Sequence, residues 1–384
     1  MRILFVNRML GIAWGGGENF DYNLARALAD QGHEVSFLGG RRRGEAGRRL
    51  DLETEWIETP YWRHWMYRLG GRIQLLPGAI AEADLRMFQR AAFEKVCEWK
   101  RRRGVDLVQV LGLPELARWV ADRGWPVAVR LPGPPAWFQR RRFGELARRS
   151  GVGVFSHGDT VRFLRQGWEV PVNEVRPGIR GDLFRPLAPA ERRREREAFG
   201  WDDQEFLLAT VGRLVPGKGQ EFLIRALARL QQETPGVRLA IAGDGPLRGQ
   251  LEGVARQVGV SGRVTFLGQV DTSAVARLLG VSDVFSLCSA YENYSNAVLE
   301  AMSAGLPIVA PRLGGFPMQI DHGSNGFLFE PGDEGAFRAH CLTLYRDEAL
   351  RARMSERAIQ FASRFSWRQS AEEVTGLYER LLRR

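Results

Sequence analysis

Between an apolar strand pattern and a helical one, Val211-Gly212-Arg213-Leu214-Val215-Pro216-Gly217-Lys218-Gly219 sets two cations among glycines. Glycines let the backbone approach an anion. A helix N-terminus adds unpaired N–H groups and a partial positive charge, and Arg213 and Lys218 add full charges. In outline this is a diphosphate clamp, although taken alone an ordinary turn with solvated cations reads equally well. It is not a P-loop, because the G-x-x-x-x-G-K-[ST] spacing is absent. A second group is Glu292-Asn293-Tyr294-Ser295-Asn296-Ala297-Val298-Leu299-Glu300. Here Ser295 or Asn293 can cap a helix running to Ser303, which Gly305-Leu306-Pro307 then stops. Glu292 would precede that helix and Glu300 would sit more than a turn inside it, so the carboxylates can accept hydrogen bonds from different hydroxyls, such as those of a hexose and a ribose. The N–H groups of Ser295, Asn296 and Ala297 between them can receive an oxyanion.

These loops need strands to carry them. Short apolar runs alternate with helical patterns from end to end, which predicts parallel sheets covered by helices. In the first half, strands are expected at Ile3–Asn7, Glu34–Leu38, Leu107–Leu111, Val127–Leu131 and Val152–Ser156, with a helix over Asn19–Asp30. In the second half they are expected at Phe206–Val211, Leu239–Ala242, Val264–Leu267, Val284–Cys288 and Ile308–Ala310, with a helix over Gln220–Gln232. At 384 residues the chain exceeds the usual reach of one core. The Gly- and Pro-rich stretch from Pro177 to Pro186 places the domain boundary near residue 184. The expected architecture is α/β, with two doubly wound Rossmann-like domains facing a central cleft. Ligands in such sheets collect beyond the carboxyl ends of the strands.

At this point the sequence resembles a known family. Glu292 and Glu300 form the E-x7-E motif of retaining glycosyltransferases of family 4, which have the GT-B fold, and Ala301-Met302-Ser303-Ala304-Gly305-Leu306-Pro307-Ile308-Val309-Ala310 matches the continuation. Gly212-Arg213-Leu214, Lys218-Gly219, Ala242-Gly243-Asp244-Gly245-Pro246, Phe266-Leu267-Gly268, Gly314-Gly315 and Asn325-Gly326 match in register. The similarity is strong over about residues 200–330 and loose elsewhere.

The resemblance implies that residues 185–365 bind a nucleotide-diphosphate sugar and that residues 1–184 bind a hydroxyl acceptor. It also implies that the helix in 366–384 crosses back to the first domain. Arg213 and Lys218 would bind the donor diphosphate, Glu292 would orient the transferred sugar and Glu300 the nucleotide ribose. Backbone at Gly243, Asp244 and Gly245 and at Gly268 to Val270 would border the nucleotide, and Gly15, Gly16 and Gly17 would approach the diphosphate. The implied reaction retains anomeric configuration and uses no cofactor, the nucleotide sugar being a co-substrate. Two departures stand out. Phe316-Pro317-Met318-Gln319 lacks the carboxylate that commonly follows Gly314-Gly315, and Arg130-Leu131-Pro132-Gly133-Pro134 lacks the histidine many relatives carry there. His157 either faces the cleft or ends a helix; His33 and His322 read as structural, and His64 has no assignment.

No D-x-D spacing and no His/Asp cluster suggest a metal, so stabilisation of the leaving group is expected from Arg213, Lys218 and helix N–H groups. Three scattered cysteines, no apolar run long enough for a membrane span and no signal peptide predict a cytoplasmic protein. The formal charge of +10 predicts attraction to polyanions. Nucleic acid is not expected, for lack of a recognition motif. The Arg41–Arg49 stretch and the aromatic-basic Tyr61–Arg72 segment are either an inner-membrane-facing surface for a lipid-linked acceptor or, in the latter case, a helix packed into the acceptor domain. Two other functions share the architecture: a catalytically silent nucleotide-sugar sensor, which the presence of both glutamates and both cations disfavours, and a sugar-nucleotide epimerase, which would not require E-x7-E.

Overall fold

The computed structural model describes residues 1–12, 15–59, 77–134, 140–167 and 171–383; Tyr61–Arg72 and His64 lie outside them. The chain forms two units, Met1–Gly178 with Trp367–Arg384, and Ile179–Ser366.

The first unit holds strands β1 (Arg2–Asn7), β2 (Glu34–Arg42), β3 (Glu53–Thr59), β4 (Leu107–Leu111), β5 (Val127–Arg130), β6 (Val152–Ser156) and β7 (Val172–Glu174). They pair in parallel in the order β3-β2-β1-β4-β5-β6-β7. Strand β1 shows why: Ile3 and Phe5 enter one core while Leu4 and Val6 enter the other, and a strand buried on both faces reads as an unbroken apolar run. Edge strand β3 carries only Trp56 and Ile57 as apolar residues among charged and hydroxyl side chains, which hides it in the sequence. Strand β2 runs four residues beyond its expected end. Arg41 and Arg42 therefore lie in the sheet, paired with Glu58 and Glu45 at 3.0 and 3.3 Å, and are not loop cations.

In the second unit β8 (Phe206–Val211), β9 (Val237–Ala242), β10 (Val264–Gly268), β11 (Val284–Ser286), β12 (Ile308–Pro311) and β13 (Gly326–Phe329) form a parallel sheet in the order β10-β9-β8-β11-β12-β13. Phe206 and Leu208 face one core, Leu207 and Ala209 the other. The winding reverses between β8 and β11, so the helices that follow these strands pack on opposite faces of the sheet and the carboxyl ends of the two strands mark the switch point where ligands collect in such sheets. The amino ends are locked by Asp283, which accepts from Leu207 N–H and from the buried Arg196 guanidinium, both at 2.8 Å.

The units divide at Gly178, six residues before the sequence-based boundary of 184, because Ile179 bridges to Ser366 and Phe184 is buried in a second-unit core. The final helix, Trp367–Leu382, counts with the first unit: Val374, Leu377, Tyr378 and Leu381 share a core with Ile3 and Phe5, and the Tyr378 hydroxyl donates to Gln109 on β4. Among the described residues, no helix is long and apolar enough to cross a membrane.

Candidate functional site

The two chemistry-bearing segments leave the strands flanking the switch point. After β8 the chain turns through Gly212–Gly219 into the helix Gln220–Glu233. Gly219 has φ +77°, and a Cβ there would lie 2.1 Å from the Cys288 carbonyl oxygen, so only glycine lets this turn press against the loop after β11. The two loops are also joined by Ala290 N–H donating to the Gly217 carbonyl at 2.7 Å. This close approach puts Lys218 Nζ 2.5 Å from Glu292 Oε1. Arg213 is exposed, its carbonyl is held by Gln220 Nε2 at 3.2 Å, and among the described residues its guanidinium has no partner. One cation is therefore pre-positioned by a carboxylate, and the other is exposed and unpaired among the described residues.

Ser295 caps the helix Asn296–Ser303, its Oγ accepting from Val298 N–H at 3.3 Å. Of the two caps the sequence allows, Ser295 is the one used. Its own N–H is not free: it donates to Gln319 Oε1 at 2.8 Å. Among the described residues, the unpaired N–H groups at this turn are thus those of Asn296 and Ala297, and Ser295 leaves the expected set of N–H donors to an anion. Glu292 precedes the helix, while Glu300 sits on it, partly accessible and with no ion-pair or hydrogen-bond partner for its carboxyl among the described residues. Burial pushes that carboxyl up to about 8.

The ends of β9 and β10 complete one rim of the crevice. Gly243 N–H donates to the Gly268 carbonyl at 2.8 Å, Leu214 N–H to the Asp244 carbonyl at 3.0 Å, and Gly245 N–H to Asp244 Oδ1 at 2.7 Å. Val270 packs against a core of the unit. On the other side, Gly315 N–H donates to the Glu292 carbonyl at 2.7 Å, and a Cβ on Gly315 would fall 1.9 Å from the Asn293 carbonyl oxygen. All of these segments belong to the second unit, whose described residues thereby bring together Arg213, Lys218, Glu292 and the N-terminal turn leading to Glu300. No group of three metal-ligating side chains occurs among the described residues.

In the first unit, Gly16 and Gly17 open the helix Gly16–Asp30 and Gly15 caps it, so this helix begins three residues before its expected start. Glu18 Oε2 accepts from Gly15 N–H at 3.0 Å. Beneath the turn, Arg130 donates to Asp21 at 2.6 Å and to the Gly17 carbonyl at 2.7 Å, and Asn7 donates to Asp21 at 2.9 Å. In the sequence Arg130 stands only where many relatives carry a histidine, and an arginine at a strand's end next to an apolar run gives no hint of a buried partner on another helix. His157 is buried and stacks on Phe20 with ring centroids 5.0 Å apart; burial and the Arg130 charge lower it to about 3, so the ring is neutral. His33 lies beside the N-terminal amine, and His322 accepts from Leu328 N–H, both structural settings.

With this geometry in place, residues 191–361 match the family described as glycosyl transferases group 1. A D-inositol 3-phosphate glycosyltransferase of Corynebacterium jeikeium (strain K411) is 31% identical over 248 residues, 62% of this chain and 59% of that protein. The chain spans about half the length of the curated relatives it matches. Among solved structures, sucrose-phosphate synthase from Thermosynechococcus elongatus superposes with a TM-score of 0.81 at 19% identity, covering 99% of both chains. HepE of Anabaena in complex with UDP and glucose superposes with a TM-score of 0.75 at 23% identity, again covering 99% of both. The chain therefore has the GT-B fold, and residues 191–361, which carry all the second-unit loops described above, match glycosyl transferases group 1.

Proposed function

We propose that the protein is a retaining glycosyltransferase that moves a sugar from a nucleotide-diphosphate sugar to a hydroxyl acceptor. The observation that carries this reading is the Lys218–Glu292 pair, 2.5 Å apart at the switch point, with the N–H groups of Asn296 and Ala297 and the Arg213 guanidinium unpaired among the described residues. Lys218 has three N–H donors and Glu292 engages one of them, so a diphosphate can accept from the rest while Glu292 turns its second oxygen to a sugar hydroxyl. Glu300 is placed further along the same helix for a ribose diol. HepE, which shares the fold, is described as a complex with UDP and glucose, which supports a nucleotide-sugar donor.

In this reading the first unit holds the acceptor. As the sugar leaves, charge grows on the diphosphate oxygens; Lys218, Arg213 and the two helix N–H groups would stabilise it there, with Lys218 held in advance by Glu292, and no metal is required. The departing phosphate can deprotonate the acceptor hydroxyl on the same face, which retains configuration without a separate protein base. UDP-, GDP- and ADP-sugars screened by thermal shift should identify the donor. Turnover with that donor should persist in EDTA, and product NMR should show the anomeric configuration of the donor. An inverted product contradicts the mechanism, and loss of activity in EDTA restored by magnesium or manganese contradicts metal independence.

For the acceptor, the proposal is a lipid-linked or membrane-presented hydroxyl, resting on the aromatic-basic Tyr61–Arg72 segment of the sequence. With Arg41 and Arg42 paired in the sheet, that segment carries most of the argument. The protein should co-sediment with anionic liposomes at low salt and dissociate as salt rises, since the screening length at physiological ionic strength is about 8 Å. Wild-type protein that stays in the supernatant at low salt points instead to a soluble acceptor.

A further inference from the structure

We propose that Gln319 is the positioning residue that fixes the N-terminal turn of the Asn296–Ser303 helix for donor binding, an inference that rests on reading that turn as the nucleotide-sugar site. Gln319 is 1% exposed at the end of the short helix Phe316–Gln319. Its amide grips both polar groups of Ser295: Oε1 accepts from the N–H at 2.8 Å and Nε2 donates to the carbonyl at 2.9 Å. Ser295 is itself buried, and the same residue supplies the cap to Val298 and the first helical acceptor, its carbonyl receiving Leu299 N–H at 3.2 Å. Whatever holds Ser295 therefore holds the direction of the Asn296 and Ala297 N–H groups.

Gln319 is anchored in turn. Asn325 Nδ2 donates to the Gln319 carbonyl at 3.1 Å, and Asn325 Oδ1 accepts from Asp321 N–H at 2.9 Å, so the clamp is tied to the turn that leads into β13. At its other end, the segment holds Glu292 through the Gly315 N–H. The stretch that departs from the family pattern by lacking a carboxylate thus carries an amide with a distinct task. The task requires a donor and an acceptor on one planar group. A carboxylate would set a lone pair against the Ser295 carbonyl, and an aliphatic side chain would leave both buried Ser295 groups unpaired.

The test is calorimetric titration of the full chain with UDP, GDP and ADP at pH 8.5 and pH 6.0, alongside melting temperatures, for wild type, Gln319→Leu and Gln319→Glu. Each affinity is taken relative to wild type at the same pH, which cancels titration common to both proteins, including that of Glu292, Glu300, Asp321, His322 and the nucleotide phosphate. Gln319→Leu should bind about tenfold more weakly at both pH values, the equivalent of one lost hydrogen bond. Gln319→Glu should be about as weak at pH 8.5 and recover toward wild type at pH 6.0, where the buried acid is protonated and offers donor and acceptor again. A purely structural side chain would lower the melting temperature without this pH-selective recovery. Folded variants that bind like wild type at both pH values overturn the proposal, as does a deficit in Gln319→Glu that is equal at both. If Gln319→Leu does not fold, the two pH values of Gln319→Glu decide, and failure of both variants to fold assigns Gln319 to the core instead. Wild-type protein that binds none of the three nucleotides overturns the site reading and this inference with it.

Discussion

Replacing Lys218 by alanine is expected to lower turnover about 100-fold while leaving the melting temperature close to that of wild type. The rate effect follows from the position of the charge. Lys218 is held at 2.5 Å by Glu292 before any donor arrives, so its ammonium needs no reorganisation when charge develops on a leaving diphosphate. Removing one preorganised group of this kind costs roughly 3 kcal/mol of transition-state stabilisation. The small stability effect follows from exposure: the Lys218 side chain is 27% and that of Glu292 14% accessible, and a partly solvated pair contributes about 0–1 kcal/mol to folding. Arg213→Ala should act in the same direction, with less disturbance to the fold because that guanidinium has no partner among the described residues. Steady-state kinetics with the donor found by screening, together with thermal melts, decide the matter. Near-normal kcat in both variants would remove the clamp from the mechanism, whereas loss of activity with loss of the melting transition would make Lys218 structural.

The sequence conveyed the central strands and the segments at their carboxyl ends well, for a physical reason. Strands such as β8 and β4 are buried on both faces, so all their residues but Thr210 and Gln109 are apolar, and their ends are marked by the glycine that follows. The cap at Ser295 was legible for a similar reason, since capping chemistry is local to a few residues. Edge strands β3, β7 and β13 were not, because a strand that is short or half exposed carries a weak apolar signal. The tertiary polar partners were illegible altogether. Arg130 reaches Asp21 across 109 positions and Gln319 reaches Ser295 across 24, and nothing in the identity of a buried arginine or glutamine specifies which distant backbone it will satisfy. That is why the loss of the Ser295 N–H from the anion-binding set came only with the structure. Pattern predicts that a helix start is available, and only packing decides which of its N–H groups are already used.

Binding of the nucleotide sugar is expected to release a proton, and its affinity to rise about tenfold per pH unit up to pH 8 and then level off. The cause is Glu300. In the unliganded protein, burial pushes its carboxyl up to about 8, so at neutral pH most molecules carry it protonated. If a ribose diol donates two hydrogen bonds to this group, the bound state favours the carboxylate and its pKa falls. A site whose pKa is lower when bound than when free gives up a proton on binding, so affinity increases with pH throughout the interval between the two values and is flat above the higher one. The diphosphate of a nucleotide sugar is esterified at both ends and does not titrate in this range, so the sugar nucleotide is a cleaner probe than the free diphosphate. Titration calorimetry between pH 6 and 9, repeated in buffers of different ionisation enthalpy, measures the slope and the proton directly. Glu300→Gln should bind more weakly at pH 8 and show neither the slope nor the buffer-dependent heat. A flat affinity profile in wild type, or an unchanged slope in Glu300→Gln, would place the ribose contact elsewhere and leave Glu300 as a neutral acid of the helix.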